Sequence, residues 1–432
     1  MNLRPTARLC LLVPALLASA AHAQWTYTDL HPAGMTWPFA YSQAHACDAT
    51  EIVGHFEGDQ LPGEPSIALR QRGCVWNYNA TVIKTFPMQN PGISGLKSLW
   101  NGQYTGYRRP DAGGDPAENG VFWNAEGEWA LLTDENCFYS AAHAIYGNQQ
   151  VGFNCGTYAC IWYGTRESRV DLHVPGWTGS VANGVWDGQQ AGAVGYPVDN
   201  PSNVTHAGVW YGTRESWFDL HPTHLPEVYA TVAQCTSREQ QAGYWLTREF
   251  GGERACVWSG TPESWTDLMP PNAINGQVWA ISGGWQVGYV LMNGDVLASL
   301  WHGSSQSWVN LHQFLPPDTV DSEAKGVWTD GRTLRVVGTR NAPGISFGGR
   351  AFLLTRTLPC ATDLDNDGSL ANGGTPDNAV DVNDLLFFLA AFEAGVPGAD
   401  LDNNGDPAAT IPDGAVDIND LLFFLVRFEA GC

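Results

Sequence analysis

Between residues 24 and 358 apolar and polar side chains alternate in short runs, punctuated by glycine, asparagine, aspartate and proline. No long stretch carries the 3.6-residue period of an amphipathic helix. One run recurs: Gly208-Val-Trp-Tyr-Gly-Thr-Arg-Glu-Ser-Trp-Phe-Asp-Leu-His-Pro222 matches the segments that begin at Cys160, Cys256 and Leu300, and weaker copies centre on Trp76 and Trp123. Each copy reads as strand, tight turn, strand, and a further hairpin precedes most of them, as in Ser180–Val185 leading into Gln189–Val194. Four strands in roughly 48 residues, repeated, predict a radial β architecture. The anchors are Trp76, Trp123, Trp162, Trp210, Trp258 and Trp301, with Phe352 at the seventh position. The seventh unit lacks its closing strand, and a matching segment, Trp25-Thr-Tyr-Thr-Asp-Leu-His31, stands at the other end of the body. This predicts a β-propeller whose N-terminal strand completes the last blade and removes the open sheet edges. Seven blades is the reading; six and eight are the alternatives.

From residue 359 the pattern changes. Val380–Leu389 (VDVNDLLFFL) recurs as Val416–Leu425 (VDINDLLFFL), and each copy closes in Phe-Glu-Ala-Gly. Each copy predicts a helix, with Leu385, Phe388, Leu389 and Phe392 on one side of the first and Leu421, Phe424, Leu425 and Phe428 on one side of the second. Upstream lie Asp363, Asp365, Asp367, Gly368 and Asp400, Asp402, Asn404, Gly405. Oxygen ligands at positions 1, 3 and 5 with glycine at 6 form a loop that wraps Ca²⁺, closed by a carboxylate from the start of the following helix. Asp384 and Asp420 fill that role, with Asp381 and Asp417 beside them, so two Ca²⁺ sites are expected. The tail resembles a dockerin, a duplicated half-EF-hand of type I-like pattern that docks onto a cohesin in surface and multi-enzyme assemblies. It departs from the twelve-position loop, because Asp363 to Asp384 spans 22 residues and Asp400 to Asp420 spans 21. The final Gly431-Cys432 resembles the ending of a dockerin subtype of planctomycete-like bacteria, which implies an attachment role. The alternative is a Cys360–Cys432 disulfide clasping the module, worth about 4 kcal/mol by chain entropy.

Residues 1–23 carry Arg4 and Arg8, an apolar stretch and Ala21-His-Ala23, the pattern of a cleaved secretory signal. A secreted, surface-attached protein is therefore expected, with no transmembrane segment. The net charge of −23 argues against nucleic acid as a partner. Export also makes disulfides admissible, and Cys47, Cys74, Cys155, Cys160, Cys235, Cys256, Cys360 and Cys432 are the candidates. Register suggests Cys47–Cys74 and Cys235–Cys256, although strands one and three of a blade stand about 9.6 Å apart, beyond disulfide reach unless the chain bends.

The repeat settles most single-residue questions. His31, His173, His221 and His312 follow the same leucine and are blade residues, as are Asp29, Asp171, Asp219 and Asp267. Gly344-Ile-Ser346-Phe-Gly348 fits a nucleophile elbow, but no helix pattern follows it. Positions that break the repeat are the better sites. Arg108, Arg109, Asp111, Asp115 and Glu118 form the longest excursion, and Trp37, Trp100 and Trp177 are placed to stack on a sugar ring. The body also resembles secreted HAF-type repeat proteins, through its tryptophans and Thr205-His206-Ala207. These features predict a non-catalytic binding or scaffold protein. Its propeller engages a carbohydrate or another surface macromolecule, and its tail attaches it to a cohesin-like partner or the cell envelope. A dockerin-tethered glycoside hydrolase, which needs two carboxylates at glycosidase spacing, and a purely structural surface repeat are the alternatives.

Overall fold

The computed structural model describes residues 25–61 except 36 and 38, 71–86, 92–109, 118–197 except 138, 204–247 except 238 and 239, 252–343, 349–358, 362–364, 380–396, 399–401 and 414–430. The expected signal segment, the Gly344–Gly348 motif, Cys360 and Cys432 lie outside these residues. Seven four-stranded antiparallel sheets follow one another along the chain, each in simple meander order. Their inner strands are Tyr41–Cys47, Ile93–Trp100, Ala141–Tyr146, Ser180–Trp186, Val228–Ser237, Asn275–Ser282 and Asp321–Thr329. The seventh sheet takes its outermost strand from the other end of the chain: Thr26–Asp29 pairs with Arg350–Thr357, Thr26 opposite Thr355 and Asp29 opposite Phe352. The fold is a seven-bladed β-propeller closed by its N-terminal strand.

The repeated tryptophans are the blade cores. Trp76, Trp162, Trp210, Trp258 and Trp301 are fully buried, as is Phe352 in the seventh blade, while Trp123 retains slight exposure. The leucine after each Asp or Asn of the outer strand (Leu30, Leu172, Leu220, Leu268, Leu311) is also fully buried. The polar residues around that leucine tie blade seven to blade one, blade three to four and blade four to five. The carboxylate of Asp29, Asp171 or Asp219 accepts the backbone N–H of the histidine two residues on, at 2.8–2.9 Å. That histidine's Nδ1 then meets the hydroxyl of Ser42, Ser180 or Thr231 on the next inner strand, at 3.0 Å. The same hydroxyl accepts a backbone N–H from the third strand of the preceding blade, such as Ala159 to Ser180 at 3.0 Å. Between blades five and six the histidine is replaced by Met269 and the hydroxyl by Gly276, and the Met269 sulfur accepts the Ala255 N–H instead, at 3.3 Å. These histidines are structural, as their repetition implied.

The cysteines depart from the expected pairing. No disulfide joins Cys47 to Cys74 or Cys235 to Cys256, because a whole strand lies between the partners: Ile52–Glu57 in the first blade and Gln240–Thr247 in the fifth. The thiols stay buried, and burial pushes that of Cys47 up to about 12. Cys160 is likewise buried and not disulfide-bonded. Cys155 instead bonds to Cys137, with Cα atoms 4.8 Å apart, linking a turn between strands two and three to the connection that enters the same blade. Both segments lie outside the repeat, so register could not pair them.

The tail contributes two helices, α1 (Val382–Ala394) and α2 (Ile418–Ala430), each 13 residues long. Phe388 and Phe424 stack with ring centroids 4.1 Å apart and planes 4° from parallel, and Phe387, Ala391 and Ala399 complete the buried centre. Most of the expected face points inward: Leu385, Phe388 and Phe392 of α1 and Leu421, Phe424 and Phe428 of α2 all pack in this centre. Leu389 and Leu425 face out, whereas Phe387 and Phe423 face in. The fully buried Asp384 and Asp420 share the inward side, and the buried face extends toward Phe387 and Phe423 rather than toward the two leucines.

Candidate functional site

Each of the seven inner strands carries a β-bulge at one equivalent position. The ladder slips between Ala44 and Ala46, Leu96 and Ser98, Ala142 and Ala144, Ala182 and Gly184, Ala233 and Cys235, Val278 and Ala280, and Ala324 and Gly326. A bulge re-aims the extra side chain. All seven re-aimed residues, His45, Lys97, His143, Asn183, Gln234, Trp279 and Lys325, line one cavity of about 450 Å³ on the propeller axis. The residue after each bulge is small (Ala46, Ser98, Ala144, Gly184, Cys235, Ala280 and Gly326), because neighbouring inner strands nearly touch there. A Cβ on Gly326 would lie 2.8 Å from Ala46 Cα, and one on Gly184 2.9 Å from Cys235 Cα.

The ring is uneven around its circumference. Lys325, His45, Lys97 and His143 occupy four successive blades; Asn183, Gln234 and Trp279 fill the rest. His45 Nε2 meets His55 Nδ1 at 3.2 Å, and His143 Nδ1 meets Asn183 Oδ1 at 3.1 Å. Asn183 Nδ2 donates to the Ala233 carbonyl at 2.9 Å. Lys325 pairs with Glu323 and sits 4.3 Å from the Trp279 ring centre. Burial, reinforced by Lys97, holds His143 and His55 down to about 3, and burial with His55 and both lysines holds His45 well below its ordinary value. Burial also lowers the Lys97 ammonium. Among the described residues lining the cavity there is no Asp or Glu.

Three residues beyond the bulge, at the hairpin ends of three successive inner strands, Trp100, Tyr146 and Trp186 gather into one aromatic cluster. The centroids of Trp100 and Tyr146 are 4.0 Å apart, those of Tyr146 and Trp186 4.5 Å, and all three rings are half-buried. Of the tryptophans singled out from sequence, only Trp100 belongs here. Trp37 and Trp177 lie in connections that lead into inner strands, at the opposite end of the channel, so the three do not form one platform. Trp37 donates its backbone N–H to Asp59 at 3.0 Å and meets Phe39 edge-on; Trp177 packs against His206. Arg108 and Arg109 end the second strand of blade two and Glu118 precedes the third; Asp111 and Asp115 are outside the described residues. Arg108 lies over the Trp129 ring at 4.5 Å, a surface contact on the blade's outer side.

The tail holds a second polar constellation, repeated about its helix pair. Asp384 Oδ1 accepts the Leu364 N–H at 2.6 Å and Oδ2 accepts the Asp381 N–H at 2.7 Å. In the second copy Asp420 accepts from Leu401 and Asp417, both at 2.7 Å. Each bond to the residue after Asp363 or Asp400 brings the first acidic residue of the motif beside the last. Asp363, Asp384, Asp400 and Asp420 are all buried. Asp381 caps α1 and Asp417 accepts the Asn419 N–H in the same way; Asp365, Asp367, Asp402 and Asn404 are outside the described residues. A single basic residue, Arg427, stands against twelve aspartates and two glutamates in residues 359–432. Burying four carboxylates there calls for further cationic charge, and an all-oxygen donor set suits a hard divalent ion. On the outer side Val382, Leu386 and Leu389 of α1, and Ile418, Leu422, Leu425 and Val426 of α2, form two exposed apolar stripes.

The body thus belongs to the class of closed β-propellers. The propeller domain of the trilobed protease from Pyrococcus furiosus, described as having an open velcro topology, aligns with a TM-score of 0.50 at 10% identity over 74% of this chain and 96% of that one. The acylaminoacyl peptidase of Pyrococcus horikoshii aligns at 0.44 and 11% identity over 74% of this chain, which spans about half, 52%, of the peptidase. At 10% identity the first likeness shows the fold alone. No protein-family model matches the sequence, and no curated protein matches it either. No helix among the described residues is long and apolar enough to cross a membrane.

The bulge ring escaped the sequence reading because its members share no chemistry. The signal lay one strand away, in a glycine repeated at the middle of every second strand (Gly54, Gly106, Gly152, Gly192, Gly243, Gly288, Gly338).

Proposed function

We propose that this is a secreted, non-catalytic binding protein whose propeller holds a carbohydrate chain at the hairpin-side mouth of its channel and whose tail is a calcium-loaded docking module. The aromatic cluster of Trp100, Tyr146 and Trp186 carries the reading, because half-buried rings at the rim of a polar cavity are what a sugar's apolar face stacks against. The described cavity lining has no carboxylate, which disfavours the glycosidase alternative, whose chemistry needs two. For the tail, the support is the closure of each acidic motif by Asp384 and Asp420 together with the paired apolar stripes. Those stripes offer an interface of two helices to a cohesin-like partner or an envelope component.

The test is pull-down on a panel of insoluble polysaccharides with calcium present, scored alongside release of soluble oligosaccharide. Retention without release is expected, and Trp100→Ala with Trp186→Ala should weaken it at least tenfold, the usual cost of losing aromatic anchors. Release of product would replace the reading with an enzymatic one.

A further inference from the structure

The charge around the bulge ring says what kind of chain the mouth would take. We propose that the basic half of the ring, between Lys325, His45, Lys97 and His143, is the seat of a single negatively charged sugar substituent, a carboxylate or a sulfate ester, on the chain bound at the aromatic mouth. This rests on the carbohydrate-binding reading and adds the ligand's charge to it.

Lys97 is the centre of the argument. It lines the cavity, and among the described residues its ammonium has neither an ion pair nor a hydrogen bond; the Tyr107 ring at 5.6 Å is its contact, and Glu118 reaches it only through space. Holding an ammonium with so little compensation is costly, and an anion in the cavity would offset that cost. Lys325 is already matched by Glu323, and the histidines are kept neutral by burial, so they act as hydrogen-bonding groups and not as cations. The uncompensated charge is therefore close to one, which suits a monoanion better than a phosphate dianion. Gln234, across the ring, has no hydrogen-bond partner among the described residues and is free to bind a neutral hydroxyl. The rest of the molecule carries a large negative charge that repels extended anionic surfaces, and the basic channel is a local exception whose field is focused on the axis.

Calorimetric titration of the full mature chain, loaded with calcium, tests this with four probes: tetragalacturonate, its fully methyl-esterified form, a sulfated galactan tetrasaccharide and its desulfated form. At least one acidic probe should bind ten or more times tighter than its neutral counterpart, and Lys97→Met should remove that difference. Preference for the uronate assigns the seat to a carboxylate, and preference for the galactan assigns it to a sulfate ester. Rising salt gives a second measure on the unaltered protein, weakening the acidic probe and sparing the neutral one. Equal binding of acidic and neutral probes, unaffected by Lys97→Met, would overturn the anion seat and leave the binding reading standing. Binding of none of the four, by a protein that also fails on the polysaccharide panel, would overturn both.

Discussion

At the middle of each blade's second strand a side chain as small as a methyl group has no room. A Cβ on Gly192 would lie 1.9 Å from the Val181 carbonyl oxygen, and the six equivalent glycines face the same carbonyl at 1.8–2.0 Å. The bulge opposite pushes that carbonyl forward, so the glycine and the re-aimed channel residue are two halves of one device. Gly192→Ala should destabilise the propeller by about 3 kcal/mol, the upper range for overpacking a close backbone contact, measured by denaturant titration. Burial makes a second residue-level mark. His55 is held near 3 in the fold and returns to about 6.5 when the chain unfolds, so the unfolded state binds the extra proton. Stability is complete above pH 6.5 and falls as pH drops from there toward 3, by about 2 kcal/mol at pH 5 from this residue. Its neighbours His45, Tyr41 and Lys97 share the pocket, and His45 acts in the same direction. Thermal melts from pH 7 to 4 should show the decline, and His55→Phe should reduce it, leaving the share of His45 and His143. A pH-independent melting temperature would contradict neutral burial.

Strands and turns were legible from sequence wherever the repeat was strict. The Trp-Tyr-Gly-Thr-Arg-Glu-Ser run gave the third strand, the tight turn and the outer strand, and the repeated His and Asp positions read as blade residues, while the inter-blade ties they make were not legible. Less legible was anything set by contact between unlike segments: the bulge ring, the Cys137–Cys155 link between two non-repeating loops, and the placing of Phe387 and Phe423 rather than Leu389 and Leu425 in the helix-pair core. In the helices, periodicity ranks leucine and phenylalanine alike, while the buried face extends from the inward aspartate toward the phenylalanines. The tail offers the clearest element-level test. Without a cation, four buried carboxylates should repel one another and release the Phe388–Phe424 stack. Chelation should therefore lower the helical circular dichroism signal of the full chain and leave the β signal of the propeller, and Ca²⁺ should restore it. Asp384→Ala with Asp420→Ala should imitate the chelator. A helical signal indifferent to both would remove calcium from the account.

On the scale of the whole molecule, the fold was predicted from one mismatch: a seventh unit without its outer strand and an orphan copy of that strand at the opposite end. Pairing Thr26–Asp29 with Arg350–Thr357 makes that inference a physical closure, with Thr26 opposite Thr355. It also imposes an order in time. The first strand of the propeller to be made has no partner until some 320 residues have followed it, so the chain must keep an unmated edge at each end of a growing arc. Contacts this distant in sequence form late. Once they form, the arc ceases to be a row of separable units and becomes a hoop, in which no blade can loosen without straining the two beside it. A protein assembled this way spends its vulnerable period before closure and is hard to prise open afterwards.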